Sequence, residues 1–132
     1  MSQLYDLMKK VTSQEKNLEV IGTGKEERDF TFVRDAVDAI ATLCEKNIFN
    51  GKLINLCSGK RISTHAVARQ ILKVSGSNKA ITFTDTLRKG DVPCMTGSIA
   101  LLSKYWNPVR TDFQEGIQNT WEWFKNENYR KK

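Results

Sequence analysis

The apolar positions near the start of the chain follow a helical spacing. Leu4, Leu7, Met8 and Val11 recur every three or four residues and form one stripe along a predicted helix. Similar stripes predict helices over about residues 34–46, from Ser63 or Thr64 to Gly76, over about residues 98–104, and from Thr111 to about residue 127. The stripe of the second helix is Val33, Val37, Ile40 and Cys44, and that of the last is Phe113, Ile117, Trp121 and Phe124.

Short runs of β-branched, aromatic and aliphatic residues separate these helices. They predict strands at residues 18–21, 30–33, 53–56 and 80–84. Because helices and strands alternate, the fold class is α/β. The strands are few and short, so we expect a small subdomain with about five helices and no complete Rossmann domain. No linker divides the chain, and residues 1–132 form a single domain.

Composition and charge narrow the classes of function. The chain has 132 residues, of which 39% are hydrophobic and 27% charged, which is typical of a globular protein. The net charge of +6 is spread along the chain, which favours a solvated surface, while a basic nucleic-acid-binding module stays open as an alternative. The polar N-terminus and the lack of a long apolar run predict a cytoplasmic protein. Three cysteines and one histidine predict reduced thiols and no metal site.

The sequence Gly22-Thr23-Gly24 follows a predicted strand. A dinucleotide-binding fingerprint would need a third glycine at the start of a helix and an acidic residue about 20 positions later. Here the charged residues 25–29 follow and no helix begins. We interpret the two glycines as a turn, with no cofactor-binding residue in this chain.

Two arginines are candidate ligands for phosphate. Arg28 and Arg88 lie in loops next to predicted strands, and the planar fork of a guanidinium matches a pair of phosphate oxygens. The two side chains could hold a diphosphate between them. Alternatively, they are surface arginines that pair with Asp29 and Asp91.

Five segments, in order, resemble the extended short-chain dehydrogenase/reductase family of NAD(P)-dependent nucleotide-sugar epimerases and dehydratases. Residues 21–35 resemble its pattern G-x-G-x-x-x-R-D-[FY]-[IV]-[YH]-V-x-D, and residues 55–59 resemble N-[LIV]-G-[ST]-G. Residues 88–91 resemble R-x-G-D, and residues 106–108 resemble G-[WY]-x-P. Residues 115–123 match E-G-[IL]-x-x-T-x-x-[WY].

The resemblance covers only the C-terminal, substrate-binding part of that family. It implies that Arg28 and Arg88 contact the phosphates or ribose of a nucleotide diphosphate, and that Asp91 lies near the ribose. It implies no catalytic residue, no cofactor-binding residue and no metal ligand here. NAD(P) is expected only in a complete parent enzyme.

Two features depart from the family pattern. Tyr5 and Lys9 have the spacing of the family's catalytic Tyr-x-x-x-Lys, but Tyr5 is too close to Arg28 in sequence, and we expect both to be ordinary helix residues. Cys57 replaces a glycine of N-[LIV]-G-[ST]-G, which raises the question of whether the backbone there needs a positive φ.

These observations predict a truncated or split epimerase/dehydratase-like protein that binds a nucleotide-sugar and is not catalytic alone. The alternatives are an interaction protein that associates with a full-length enzyme, and the nucleic-acid-binding module. We also expect a homo-oligomer or a separate Rossmann-containing partner chain, and no membrane association. The expected contact surface includes Phe30, Phe32 and the stripe from Leu4 to Val11, left uncovered by the missing part.

Overall fold

The computed structural model describes residues 3–48, 51–87, 90–108 and 110–130. These residues contain four α-helices: α1 (Gln3–Thr12), α2 (Val33–Glu45), α3 (Thr64–Ser75) and α4 (Phe113–Arg130). They also contain four short strands: β1 (Asn17–Val20), β2 (Glu27–Arg28), β3 (Ile62–Ser63) and β4 (Ala80–Phe83). A 3₁₀ helix, Leu102–Lys104, precedes α4. No helix among the described residues has the length and apolar character that crossing a lipid bilayer requires.

The strands form two separate two-stranded sheets. β1 and β4 pair in parallel, from Asn17 opposite Ala80 to Val20 opposite Phe83. β2 and β3 pair antiparallel, with Glu27 opposite Ser63 and Arg28 opposite Ile62. The predicted class, a small α/β fold without a complete Rossmann domain, is confirmed for the described residues.

The main core lies between α1, α3, α4 and the first sheet. Each of the three helices turns its apolar stripe inward, and Leu18 and Val20 of β1 are almost fully buried beneath them. The buried members are Leu7, Met8, Val11, Leu18, Val20, Val67, Ala68, Ile71, Ile117, Trp121 and Phe124. The stripe of α1 is therefore covered, and the expectation that it is left exposed was wrong. Phe30 and Phe32 are half-buried, and the Phe30 ring lies 5.8 Å from that of Phe113.

A smaller core lies beside α2. Ala39, Leu102 and Trp106 are buried there, with Leu43 and Ile54 packed against them. The predicted apolar stripe of α2 faces away from this smaller core: Val33, Val37 and Ile40 are 66%, 57% and 49% exposed. The helix is where the sequence places it, but the described residues bury only its Ala39 side.

Two of the predicted strands do not form. Residues 30–32 lead into α2 without pairing, and residues 53–56 are in no sheet of the described chain. The second sheet instead uses the two-residue strands β2 and β3. Strands this short carry no periodic pattern, which is why the sequence does not reveal them.

The ends of the helices follow their capping chemistry. The Ser63 hydroxyl accepts a hydrogen bond from the Ala66 amide and begins α3, and Gly76, with φ of 68°, ends it as predicted. For α4 the predicted start at Thr111 was wrong, and the helix begins at Phe113. Asp112, not Thr111, accepts from the Gln114 amide, because the hydroxyl and amide of Thr111 both donate to the Asp35 carboxylate of α2.

Candidate functional site

A cleft of about 470 Å³ opens between α1, the end of β1 and β2. Most of its described lining residues are polar or charged: the cations Lys9, Lys10 and Arg28, the carboxylates Asp6, Glu19, Glu26 and Asp91, and the polar side chains of Gln3 and Thr64. The volume lies in the range of small-molecule sites, which are commonly 300–1,000 Å³. Cationic, hydroxyl and carboxylate groups therefore converge on one concave surface.

Arg28 is fixed at this cleft by two hydrogen bonds. Its Nη1 donates to the Glu27 carbonyl at 2.9 Å, and its Nη2 donates to Asp91 Oδ1 at 3.0 Å. Its side chain is only 19% exposed. A guanidinium has five N–H donors, so these two bonds orient the group without using its full capacity.

The structure thus brings Arg28 and Asp91 together, two of the three residues proposed from the sequence. The ion pair between Arg28 and Asp91 agrees in part with the alternative considered from the sequence, in which the two arginines pair with Asp29 and Asp91. Arg88 lies outside the described residues, so its predicted role stays a prediction. Asp91 is exposed beside the cleft, and its carboxylate can accept hydrogen bonds from hydroxyl groups.

The bend at Gly22-Thr23-Gly24 lies next to the cleft and is closed by Glu26. The buried carboxylate of Glu26 accepts from the Thr23 amide and hydroxyl at 2.9 and 2.7 Å and from the Gly24 amide at 3.0 Å. Burial by itself would raise the pKa of Glu26, but these hydrogen bonds outweigh it and hold the pKa below its usual value. Gly22 and Gly24 have φ of 105° and 81°, which confirms their interpretation as a turn.

Asp29 has a structural role that sequence reasoning missed. Its carboxylate accepts four hydrogen bonds: from the Ser58 amide and hydroxyl, the Gly59 amide and the Thr96 hydroxyl, at 2.6–2.9 Å. Burial would raise the pKa of Asp29, but these donors lower it. Asp29 therefore joins three loops and is not available to pair with Arg28. The Ser58-Gly59 pair of the family pattern was the one sequence signal for this role, since it offers neighbouring hydrogen-bond donors to a carboxylate.

Cys57 fits the structure without a special backbone conformation. Among the described non-glycine residues, only Asn47 and Asp85 have positive φ, so a glycine is not needed at position 57 for that reason. A Cβ placed on Gly97 would lie 2.6 Å from the Cys57 sulphur, which shows how closely the two residues pack. Burial and the nearby Asp29 charge raise the pKa of the Cys57 thiol, which therefore stays protonated.

Tyr5 and Lys9 behave as helix residues, as predicted. The Tyr5 ring packs edge-on against Phe124 with 5.5 Å between centroids, and the Lys9 ammonium lies 4.7 Å above the Tyr5 ring. No group of three metal-ligating side chains occurs within the part of the chain that the structure describes.

A second cavity, of about 740 Å³, lies between residues 30–34 and α4. Phe30, Phe32, Phe113 and Trp123 contribute its aromatic walls, and Arg34 is its only cationic side chain among the described residues. Its lining suits an apolar group better than a diphosphate. We therefore place the candidate nucleotide site at the Arg28 cleft.

Comparisons with known proteins agree with this architecture. Residues 2–57 match the model of the NAD dependent epimerase/dehydratase family. Over these residues the chain is similar to that family. It is 32% identical, over 120 residues, to the UDP-N-acetyl-alpha-D-glucosaminuronate decarboxylase of Bacillus cytotoxicus, a match that covers 85% of this chain and 36% of the decarboxylase.

Solved epimerases share the fold over nearly the whole chain. An epimerase from Methanothermobacter thermautotrophicus superposes with a TM-score of 0.86 at 23% identity, covering 98% of this chain and 38% of that one. The UDP-glucuronic acid 4-epimerase of Bacillus cereus superposes with a TM-score of 0.81 at 21% identity, covering 96% and 40%. The chain thus spans about two fifths of the length of the solved epimerases it matches.

Proposed function

We propose that this chain binds the nucleotide-diphosphate portion of a nucleotide-sugar, as the substrate-binding part of an NAD-dependent epimerase or dehydratase. Its relatives support a nucleotide-sugar ligand. One relative is a decarboxylase of a UDP-sugar acid, and the Bacillus cereus epimerase was solved with UDP-glucuronic acid and NAD.

The observation that carries the proposal is the placement of Arg28. Its side chain is mostly covered, lines the 470 Å³ cleft and is held in orientation before any ligand arrives. Preorganised cations bind anions at a smaller entropic cost than mobile ones. Lys9 and Lys10 also line the cleft, but carboxylates line it too and Lys10 pairs with Glu19 at 3.5 Å, so Arg28 is the cation on which the proposal rests. Asp91 offers an acceptor for a sugar hydroxyl.

In this proposal the chain binds and orients the substrate but does not carry out redox chemistry alone. Hydride transfer would be supplied by NAD, and the Gly22-Thr23-Gly24 turn lacks the third glycine and the following helix of a dinucleotide-binding fingerprint. Tyr5 and Lys9 are engaged in packing, and the Gly22–Gly24 bend is already filled by the Glu26 carboxylate.

Calorimetric titration with UDP, GDP and dTDP tests the proposal. Each charge-assisted contact to phosphate contributes about 1.5–3 kcal/mol, so Arg28→Ala should weaken binding of the preferred nucleotide at least about tenfold. Arg88→Ala should weaken it similarly. Arg61→Ala is the matched control, because Arg61 is 56% exposed, lies at 4.0 Å from Glu27 and does not line the cleft.

Unchanged affinity in both Arg28→Ala and Arg88→Ala would contradict the diphosphate site. Strong salt-dependent retention on heparin that UDP does not reduce would instead favour the nucleic-acid-binding alternative.

A further inference from the structure

The cleft beside Arg28 contains one carboxylate that has no partner among the residues that the structure describes. Asp6, in the first turn of α1, lines the cleft, is partly buried, and makes no hydrogen bond or ion pair with them. A carboxylate in this position loses its water when a ligand covers it, so a ligand that offers no donor there binds less tightly. The other carboxylates of the described lining are engaged within the chain: Glu26 with Thr23 and Gly24, Asp91 with Arg28, and Glu19 with Lys10.

The two cations that follow Asp6 on α1 are held in other contacts. The Lys9 ammonium lies 4.7 Å from the centre of the Tyr5 ring, and the Lys10 ammonium donates to the Glu19 carbonyl at 2.9 Å. Residues three and four positions apart are neighbours on a helix, yet neither lysine forms an ion pair with Asp6 in the described structure. The acceptor capacity of Asp6 is therefore available to a ligand.

Asp6 and Arg28 lie on different walls of the cleft. Arg28 belongs to β2, and Asp6 belongs to α1. The walls are joined by a hydrogen bond of 3.2 Å from the Gln3 amide group to the Thr64 hydroxyl, which in turn donates to the Glu26 carbonyl, next to β2. A ligand that fills the cleft with its anionic end on Arg28 therefore presents another part to Asp6.

For a nucleotide, the part that reaches the α1 wall is the base. The ribose is attached directly to the phosphates, and the carboxylate nearest to them is Asp91, which accepts from Arg28 at 3.0 Å. The base lies further from the phosphates and carries N–H groups. Which bases suit Asp6 then depends on how their donors and acceptors are arranged.

Guanine matches a carboxylate better than the other bases do. Its N1–H and N2–H donors lie side by side and fit the two oxygens of one carboxylate. Uracil and thymine offer a single N3–H between two carbonyl oxygens, and adenine and cytosine offer an amino group beside a ring nitrogen acceptor. Each of these four bases places an acceptor against the negative charge, which guanine avoids.

We propose that Asp6 selects the base of the nucleotide, and that the ligand of the cleft is a guanosine diphosphate sugar. The Asp6 carboxylate accepts from guanine N1–H and N2–H while Arg28 binds the diphosphate. This rests on the proposed function, because the phosphate contact at Arg28 belongs to the same cleft.

Calorimetric titration of the chain with GDP, IDP, UDP and ADP tests the assignment. The base of IDP is guanine without its 2-amino group, so IDP keeps N1–H and loses the second donor. GDP should bind at least about fivefold more tightly than IDP and at least about 20-fold more tightly than UDP or ADP. This comparison uses the unmodified chain and does not depend on the folding of any variant.

Asp6→Asn should reduce the ratio of GDP to IDP affinity to about one, because an amide offers one acceptor and turns a donor toward the other N–H. Asp38→Asn is the matched control, since it makes the same change at an exposed position on α2 outside the cleft, and it should keep the ratio. Arg28→Ala should weaken all four nucleotides by a similar factor, because it acts on the diphosphate that they share.

Equal affinities for the four nucleotides that still depend on Arg28 would overturn the inference and leave the proposed function in place. A uniform loss of affinity in Asp6→Asn, with an unchanged ratio of GDP to IDP, would also overturn it and would assign Asp6 to a ribose hydroxyl. If none of the four binds, or if Arg28→Ala changes nothing, the proposed function fails and the inference fails with it.

Discussion

Cys57 and Gly97 occupy one small volume and must be considered as a pair. The sulphur of Cys57 lies where a side chain on Gly97 would have to go, with only 2.6 Å to a hypothetical Cβ. Cys57 is 9% exposed, so the sulphur has little room to move. The residue that departs from the family pattern is thus accommodated by a glycine 40 positions later in the chain.

Gly97→Ala should lower the free energy of unfolding by about 1–3 kcal/mol, because the added methyl overpacks against the sulphur. In a Cys57→Ala background the same change should cost less than about 1 kcal/mol. Urea denaturation of the four proteins of this double-mutant cycle measures the coupling.

Gly116→Ala serves as the control for this cycle. Its Cβ would meet nothing closer than Phe32 at 3.6 Å, and it lies within α4, so it should stabilise the protein by about 0.5–1 kcal/mol. An equal cost of Gly97→Ala with and without the Cys57 sulphur would show that the contact is not the cause.

At the scale of elements, buried or half-buried carboxylates hold the loops in place. Asp29 joins the segment after β2 to Ser58-Gly59 and to Thr96, and Asp35 joins α2 to the segment before α4. β2 and β3 contribute only two residues each. These side-chain links therefore replace the long strand ladders that are absent from the described residues.

Asp29→Asn should lower the free energy of unfolding at pH 7 by about 1.5–3 kcal/mol, because the carboxylate accepts four hydrogen bonds and an amide cannot accept them all. The pKa of Asp29 is lowered in the folded state, so its contribution is present above the unfolded pKa of about 3.9 and is lost as pH falls through the folded pKa. The difference between wild type and variant should therefore shrink below about pH 4.

Urea denaturation at pH 7, 5 and 3.5 checks this dependence. Asp38→Asn, at an exposed position on α2, should change little at any of these pH values. A difference between wild type and Asp29→Asn that stays constant over the range would mean that the carboxylate does not stabilise the fold through its charge.

The elements that could be predicted from the sequence are those whose apolar residues pack against other parts of this chain. α1, α3 and α4 were correctly placed because their stripes meet in one core. Residues 53–56 were predicted as a strand because of their composition, yet composition does not say which neighbour they pair with. The apolar stripe of α2 was identified from its helical spacing. That spacing does not say whether the stripe is buried, so its exposure could not be predicted.

The candidate site was only partly predictable. Arg28 and Asp91 were identified from the family pattern, but their direct ion pair joins residues 63 positions apart, a distance over which sequence gives no geometry. The anchoring role of Asp29 depends on two distant loops folding back onto it. Such roles follow from tertiary structure and leave no local signal.

At the scale of the whole molecule, the proposed function places nucleotide recognition in this chain and cofactor binding outside it. In the bend at Gly22–Gly24, the amides of Thr23 and Gly24 already donate to the Glu26 carboxylate. A pyrophosphate placed there would meet a negative charge and find these donors occupied.

The isolated chain should therefore show no saturable binding of NAD or NADP up to millimolar concentration, while UDP, GDP or dTDP raises its melting temperature. A ligand that binds only the folded state stabilises it in proportion to the logarithm of its concentration, so thermal shift and calorimetry should agree. Saturable binding of NAD by this chain alone would refute the prediction that the cofactor binds outside this chain.

The parallel pairing of β1 with β4 also has a consequence for how the chain is made. The Gly22 amide donates to the Thr84 hydroxyl, 62 residues later, so the sheet closes only after that whole stretch has been synthesised. Until β4 leaves the ribosome, Leu18 and Val20 have no partner strand to cover them, although α1 and α3 can already assemble. Pairings between residues so distant in sequence form slowly. We therefore expect that closing this sheet is the late step of folding, and that nascent chains ending before residue 80 keep an exposed apolar strand that chaperones can bind.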